Sequence, residues 1–218
     1  MRDQTTYTHV LDPGARIAEV LFGLIMVLTF TGSLSIAEAG REDVRAMLIG
    51  ALGCNIAWGI IDGVLYLMEC LAERGRNLTT FHALRQATDP ARAHRLLAEA
   101  LPPVLASVLQ PDELESMRQR LLALPEPPEH ARLHVSDWRG ALAVFLLVFL
   151  STLPVAVPFM VMHSAIGAVR VSNGVAIAML FTAGVAYGRL VGWVPWMFGI
   201  SMVVLGAVLV TLTIALGG

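Results

Sequence analysis

The stretch AMLIGALGCNIAWGIIDGVLYLM, Ala46–Met68, decides the fold. It is apolar along its length but for one amide, Asn55, and one carboxylate, Asp62, and it meets the charged run ECLAERGR, Glu69–Arg76, directly afterwards. A helix of roughly 20 apolar residues crosses the hydrocarbon core of a bilayer. Ala46–Met68 is long enough to do so, and the run after it is too polar to continue inside lipid.

Four more blocks of this kind lie outward from it. They are Ile17–Ala37, Gly140–Met162 (which contains Pro154 and Pro158), Asn173–Leu190 and Trp193–Leu216. The chain of 218 residues is 56% hydrophobic and 15% charged. A soluble domain is usually about 45–50% apolar and about 25% charged, so the excess belongs to these blocks. The prediction is an all-α integral membrane protein with about five transmembrane helices. Residues 17–68 hold helices one and two, and residues 139–218 hold helices three to five. Residues 69–138 form a helical polar domain between helices two and three, and residues 1–16 form the N-terminal segment. A net charge of −2 gives no reason to expect a nucleic-acid partner. Cys54 and Cys70, sixteen residues apart on one helix, cannot bridge each other.

The arginines set the orientation. With five crossings, the N-terminus, residues 69–139 and the turn before the last block share one side. That side carries twelve arginines, against Arg41, Arg45 and Arg170 on the other. The positive-inside rule then puts the N-terminus and the polar domain in the cytoplasm and the C-terminus outside. No organelle-targeting signal is visible, so a bacterial inner membrane is the expected host. Trp193 and Trp196 suit a membrane–water interface.

Within the polar domain, Asp89-Pro90 reads as an N-cap with proline in the first helical position, opening ARAHRLLAEAL. Pro111-Asp112-Glu113 opens ELESMRQRLLAL with its acids in the first turn, as the helix dipole favours. Pro102-Pro103 reads as a break between them. Pro125, Pro127 and Pro128 break the chain again before EHARLHVSDW. No strand pattern occurs.

Asp62 is the chief candidate for function. An intramembrane carboxylate is costly and usually faces a bundle interior or a polar path. Reaching interfacial water or bonding a neighbouring helix is the structural alternative. Asn55 lies two turns away on the same face. Glu19 is a second acid near the start of block one, where the helix dipole alone also favours it. Glu69 and Glu73 are four apart, as are His130 and His134, and the two pairs flank the helices that frame the polar domain. Carboxylate and imidazole together suit Fe, Mn, Zn or Ni; a solvated charged surface is the competing account. Gly59-x-x-x-Gly63 and Gly184-x-x-x-Gly188 permit close helix approach, within one chain or between two. No hydrolase, zinc-protease, P-loop or dinucleotide fingerprint is present, and no enzyme is expected.

These features resemble the vacuolar iron transporter family. LIGALGCNIAWGIIDGVLYL is similar to that family's second helix, with its pattern on Leu52, Ile56, Ala57, Gly59 and Gly63. FGLIMVLTFTG is similar to its first helix, and LPVAVPF to its proline-containing third. The family's first-helix aspartate falls on Met26 here, and its second-helix methionine on Asp62. The resemblance therefore implies a constriction that keeps one carboxylate and one thioether with their helices exchanged. It implies a homodimer with the path at the dimer interface. It also implies export of Fe²⁺, or of Mn²⁺, Zn²⁺ or Ni²⁺, from the cytoplasm in exchange for protons, with Asp62 or Glu19 taking the returning proton. The metal is cargo, and no permanently bound cofactor is expected. Glu69 and Glu73 match the first of the family's cytoplasmic metal-binding glutamates. His130 and His134 have no counterpart there and shift the preference toward zinc or nickel. Two rivals remain at this point: a membrane-anchored interaction or sensor protein with a cytoplasmic docking domain, and a channel or uncoupled exporter.

Overall fold

The structure, a computed structural model, describes residues 13–32 and 41–215. Met26 and a few other residues inside the helices have side chains outside the described set. Among the described residues eight helices follow in order: α1 (Pro13–Gly32), α2 (Arg41–Gln86), α3 (Pro90–Ala100), α4 (Pro103–Val108), α5 (Pro111–Leu122), α6 (Val135–Val161), α7 (Ala165–Leu190) and α8 (Pro195–Ala215). No strand occurs among the described residues. The chain divides into two compact units, one drawn from Met1–Tyr66 and Val135–Gly218, the other from Leu67–His134.

The first unit is the all-α membrane unit. Among the described residues four helices are long and apolar enough to cross a bilayer: Leu48–Gln86, Val135–Val161, Ile166–Leu190 and Pro195–Leu212. The fifth expected crossing corresponds to α1, whose 20 residues rise about 30 Å, one hydrocarbon thickness. The core is a seam of Leu24, Val27 and Leu28 of α1 against Val155 of α6 and Ala176 and Leu180 of α7. Large apolar side chains elsewhere point outward, among them Ile60 and Leu65 on α2 and Val204, Val208 and Leu212 on α8. An exposed apolar surface of that extent suits lipid rather than water.

Lipid tails are as apolar as leucine, so helices in a bilayer associate by close packing. The glycine pairs provide it. A Cβ on Gly59 would lie 2.9 Å from the Phe145 ring, and one on Gly63 would lie 3.2 Å from the Ala141 carbonyl, both on α6. Gly184 and Gly188 meet Gly199 and Phe198 of α8 as closely. Both motifs thus make contacts within one chain, which settles a choice that the sequence leaves open. The α7–α8 turn closes with Gly192 at φ 74°. The Trp193 amide donates to the Gly188 carbonyl at 2.9 Å and the Val191 amide to the Tyr187 carbonyl at 3.0 Å. A left-handed glycine makes this closure available at no steric cost.

Pro154 and Pro158 do not interrupt α6. Each proline removes an amide donor, which strips the carbonyl four residues earlier of its helical partner. The carbonyls affected are those of Leu150 and Pro154, while a hydroxyl of α7 ties itself to a neighbouring α6 carbonyl. Ser172 Oγ of α7 donates to the Val155 carbonyl at 2.7 Å.

The second unit contains the far half of α2 with α3, α4 and α5. Hydropathy ends block two near Met68, but α2 runs unbroken to Gln86. Charge excludes the segment from lipid without breaking a helix, and Glu, Leu, Ala and Arg are strong helix formers. Asp89 caps α3 as predicted, accepting from the Ala91 amide at 3.0 Å. At the start of α5 the Glu113 carboxylate accepts the Gln110 amide at 2.8 Å. The chain breaks at Pro102-Pro103 as predicted, and Pro103 also opens the short α4, because proline fits the first helical turn. The core of this unit is Leu84, Ala87, Ala93 and Leu97, covered by Leu114, Met117 and Leu121.

Candidate functional site

The α2 face turned to the interior of the membrane unit carries Ala51, Asn55, Gly59 and Gly63, all buried. Asp62 stands beside this stripe, since seven residues on a helix return to within about 20° of the same direction. Its Oδ2 is buried and has no hydrogen-bond partner among the described residues. Glu19 of α1 interacts electrostatically with Asp62. One turn along, the rings of Phe22 and Trp58 meet edge to face with centroids 5.5 Å apart. Glu19 with Asp62 and Phe22 with Trp58 run in opposite senses along the two helices, so α1 and α2 are antiparallel here. Asp62 thus lies within electrostatic range of a second carboxylate from a different helix, and like charges so placed repel unless a cation or proton offsets them.

The same register places the backbone of Met26 seven residues, or about 10 Å, beyond Glu19 along α1. That is the level of Asn55 and not of Asp62. The Met26 side chain itself lies outside the described residues.

In the second unit, Glu69 and Glu73 are exposed on α2. His130 and His134 lie in the stretch between α5 and α6, which is not helical. Their four-residue spacing therefore does not bring them to one helix face. Among the described residues no three His, Cys, Asp or Glu side chains gather in a group able to hold a metal. His130 and His134 instead line a groove of about 640 Å³ with Arg74 and Arg132, and no carboxylate lines it. That electrostatic setting opposes capture of a cation. Arg74 Nη1 donates to the Arg132 carbonyl at 2.9 Å. Arg85 donates to the carbonyls of Leu122, at 3.3 Å, and Leu124, and lies over the Phe81 ring. These arginines fasten the proline-rich stretch to α2.

One polar cluster had no counterpart among the sequence candidates. His94 Nε2 lies 3.0 Å from Glu115 Oε2, and Arg118 Nη2 donates to Glu115 Oε1 at 2.8 Å. Gln119 adds a bond at 3.1 Å. The Arg118 guanidinium above all, then His94 and Gln119, hold the Glu115 carboxyl down at about 2. Only the i, i+3 spacing of Glu115 and Arg118 was visible beforehand; His94 joins them through the packing of α3 on α5. A carboxyl depressed in the folded state stabilises above its ordinary value of 4.5, and this stabilisation is lost as pH falls toward the folded value. The melting-temperature difference between wild type and Glu115→Gln is therefore expected to be full above about pH 4.5 and to shrink toward zero near pH 2. Melting scans across that range check it.

A polytopic helical bundle with a helical polar unit inserted between two of its spans fits the class to which the family match assigns it: a membrane transporter of metal ions. Residues 77–218 match the profile of the VIT family, and the chain belongs to that family. No curated protein matches the chain.

Proposed function

We propose that the protein exports Fe²⁺, or a similar divalent transition metal, from the cytoplasm in exchange for protons. The observation that supports this reading is the electrostatic interaction of Glu19 with Asp62, two acids on different membrane helices, together with the unpartnered, buried Asp62 Oδ2. Two neighbouring carboxylates bind a divalent cation when both are ionised and hold protons when the cation has left. Metal and proton thus compete for the same oxygens, which is the physical basis of exchange. Family membership supports metal-ion transport; the direction, the metal and the coupling are this reading's own. Glu69 and Glu73 follow Asp62 on α2 and raise the local cation concentration as exposed charge. A homodimer in the cytoplasmic membrane of a bacterium, with the polar unit on the arginine-rich side, completes the picture.

The test is Fe²⁺ uptake into proteoliposomes with an acid interior. Metal is expected to enter while the lumen becomes alkaline, and entry is expected to slow when the pH gradient is collapsed. Uptake that ignores the gradient would remove antiport. Absence of flux for Fe²⁺, Mn²⁺, Zn²⁺ and Ni²⁺ in a well-folded preparation would remove the transport reading altogether.

A further inference from the structure

We propose that Asn55 is a second, uncharged station on the cation path, about 10 Å deeper in the membrane than Asp62. The inference rests on the transport reading above and extends it. Asn55 is 1% exposed, and neither its Oδ1 nor its Nδ2 has a hydrogen-bond partner among the described residues. A buried amide with nothing to bond costs free energy, the more so where water is excluded. Packing does not require it, since its neighbours on the stripe, Ala51 and Gly59, are small.

Its position gives it a use. Trp58 and Asp62 turn toward α1, whereas Gly59 and Gly63 meet Phe145 and Ala141 of α6. Asn55 lies between these two directions on the helical wheel, over the seam of α1 and α6. Gly23 lets α1 approach α6 at that seam, since a Cβ there would reach Ser151 Oγ and the Val148 carbonyl. Antiparallel register on Gly59–Phe145 brings Asn55 to within a turn of Ser151 and Thr152, both buried. Their hydroxyls donate to the Val148 and Phe149 carbonyls at 2.8 Å. A hydroxyl that has spent its proton this way presents only oxygen lone pairs. The level of Asn55 is thus rich in neutral oxygen.

Neutral oxygen suits a transit site. Conduction needs binding strong enough to draw the ion in and weak enough to release it. The Glu19–Asp62 pair supplies the strong site and Asn55 the weak one. An amide does not titrate between pH 4 and 9, so protons exchange at the acids while the metal passes on.

The experiment compares wild type, Asn55→Leu and Asn55→Asp in proteoliposome flux, with Mn²⁺ binding to the detergent-solubilised protein as a second readout. Asn55→Leu is expected to slow flux roughly tenfold, the factor that one interaction of hydrogen-bond size sets, with Mn²⁺ binding at the acids unchanged. Asn55→Asp is expected to bind Mn²⁺ more tightly yet transport more slowly, with an added pH dependence of rate. Should leucine overpack the seam, Asn55→Ala replaces it. Wild-type flux in a folded Asn55→Leu or Asn55→Ala protein would overturn the proposal and leave Asn55 as the partner of a buried water. Asp62→Asn separates the two claims. If that variant is inactive while the Asn55 variants transport normally, only the second station falls; if it transports normally, the acid-pair reading falls first.

Discussion

Asp62→Asn is expected to reduce metal flux by roughly a hundredfold or more. The substitution keeps the shape of the side chain and removes its charge. A unit charge about 4 Å from a cation contributes about 4 kcal/mol at an effective dielectric of 20, and each 1.4 kcal/mol is a factor of ten. A divalent ion doubles the stake, so a hundredfold is a conservative figure. The fold should tolerate the change. Asp62 Oδ2 makes no hydrogen bond among the described residues, and loss of one carboxylate relieves the opposition of Glu19. Glu19→Gln is expected to lower flux too, since it removes the other half of the pair. Each variant is checked by size-exclusion profile and melting temperature beside the flux assay. A folded Asp62→Asn protein with wild-type flux would take Asp62 off the path.

Most of the architecture is legible in the sequence because membranes impose a coarse code. Apolar length marks the spans, and arginine bias suggests orientation. Asp89 and Pro111 announce α3 and α5 through local cap chemistry that needs no tertiary context. Hydropathy marks the end of a span and not of a helix. The backbone of α2 does not respond to lipid and continues for another eighteen residues, as the expected extension carrying Glu69 and Glu73 requires, because nothing from Glu69 to Gln86 breaks a helix. Proline at 103 is a start as well as the expected stop. The i, i+4 spacing of His130 and His134 has meaning only on a helix, and the prolines before them leave that stretch irregular.

The candidate site was legible residue by residue but not as a site. Asp62, Glu19 and Asn55 each stand out as polar groups in apolar blocks. Nothing in the spacing of Glu19 and Asp62 says that they come within electrostatic range, because that depends on the register of α1 against α2. That register is set by Phe22 on Trp58 and by the glycine stripe against α6. The resemblance puts Met26 beside Asp62 by matching patterns helix by helix. Pattern matching preserves spacing within a helix and carries no information about level between helices.

The second large effect is structural. Gly184→Val is expected to destabilise the membrane unit by about 3 kcal/mol or more, the upper range for overpacking a well-fitted contact. A Cβ at this position would fall 2.9 Å from Gly199 Cα, 2.9 Å from the Phe198 carbonyl and 2.9 Å from Met202 Cγ. The methionine can rotate away, but the other two atoms are backbone and can yield only if α8 moves as a body. The methyls of valine deepen the clash. Gly53 offers the matched control: a Cβ there meets nothing within 4 Å. Gly53→Ala should be neutral or stabilising by about 0.5–1 kcal/mol, because alanine surrenders less backbone freedom than glycine on entering a helix. Melting temperature in detergent reads both. Gly184 lies on α7 against α8, while the acid pair lies between α1 and α2. Flux per folded molecule in Gly184→Val, measured well below its melting point, is therefore expected to stay near wild type. A variant that melts normally would mean that α8 shifts at little cost. A variant that folds normally and still loses transport would mean that the α7–α8 contact belongs to the moving part of the cycle rather than to its frame.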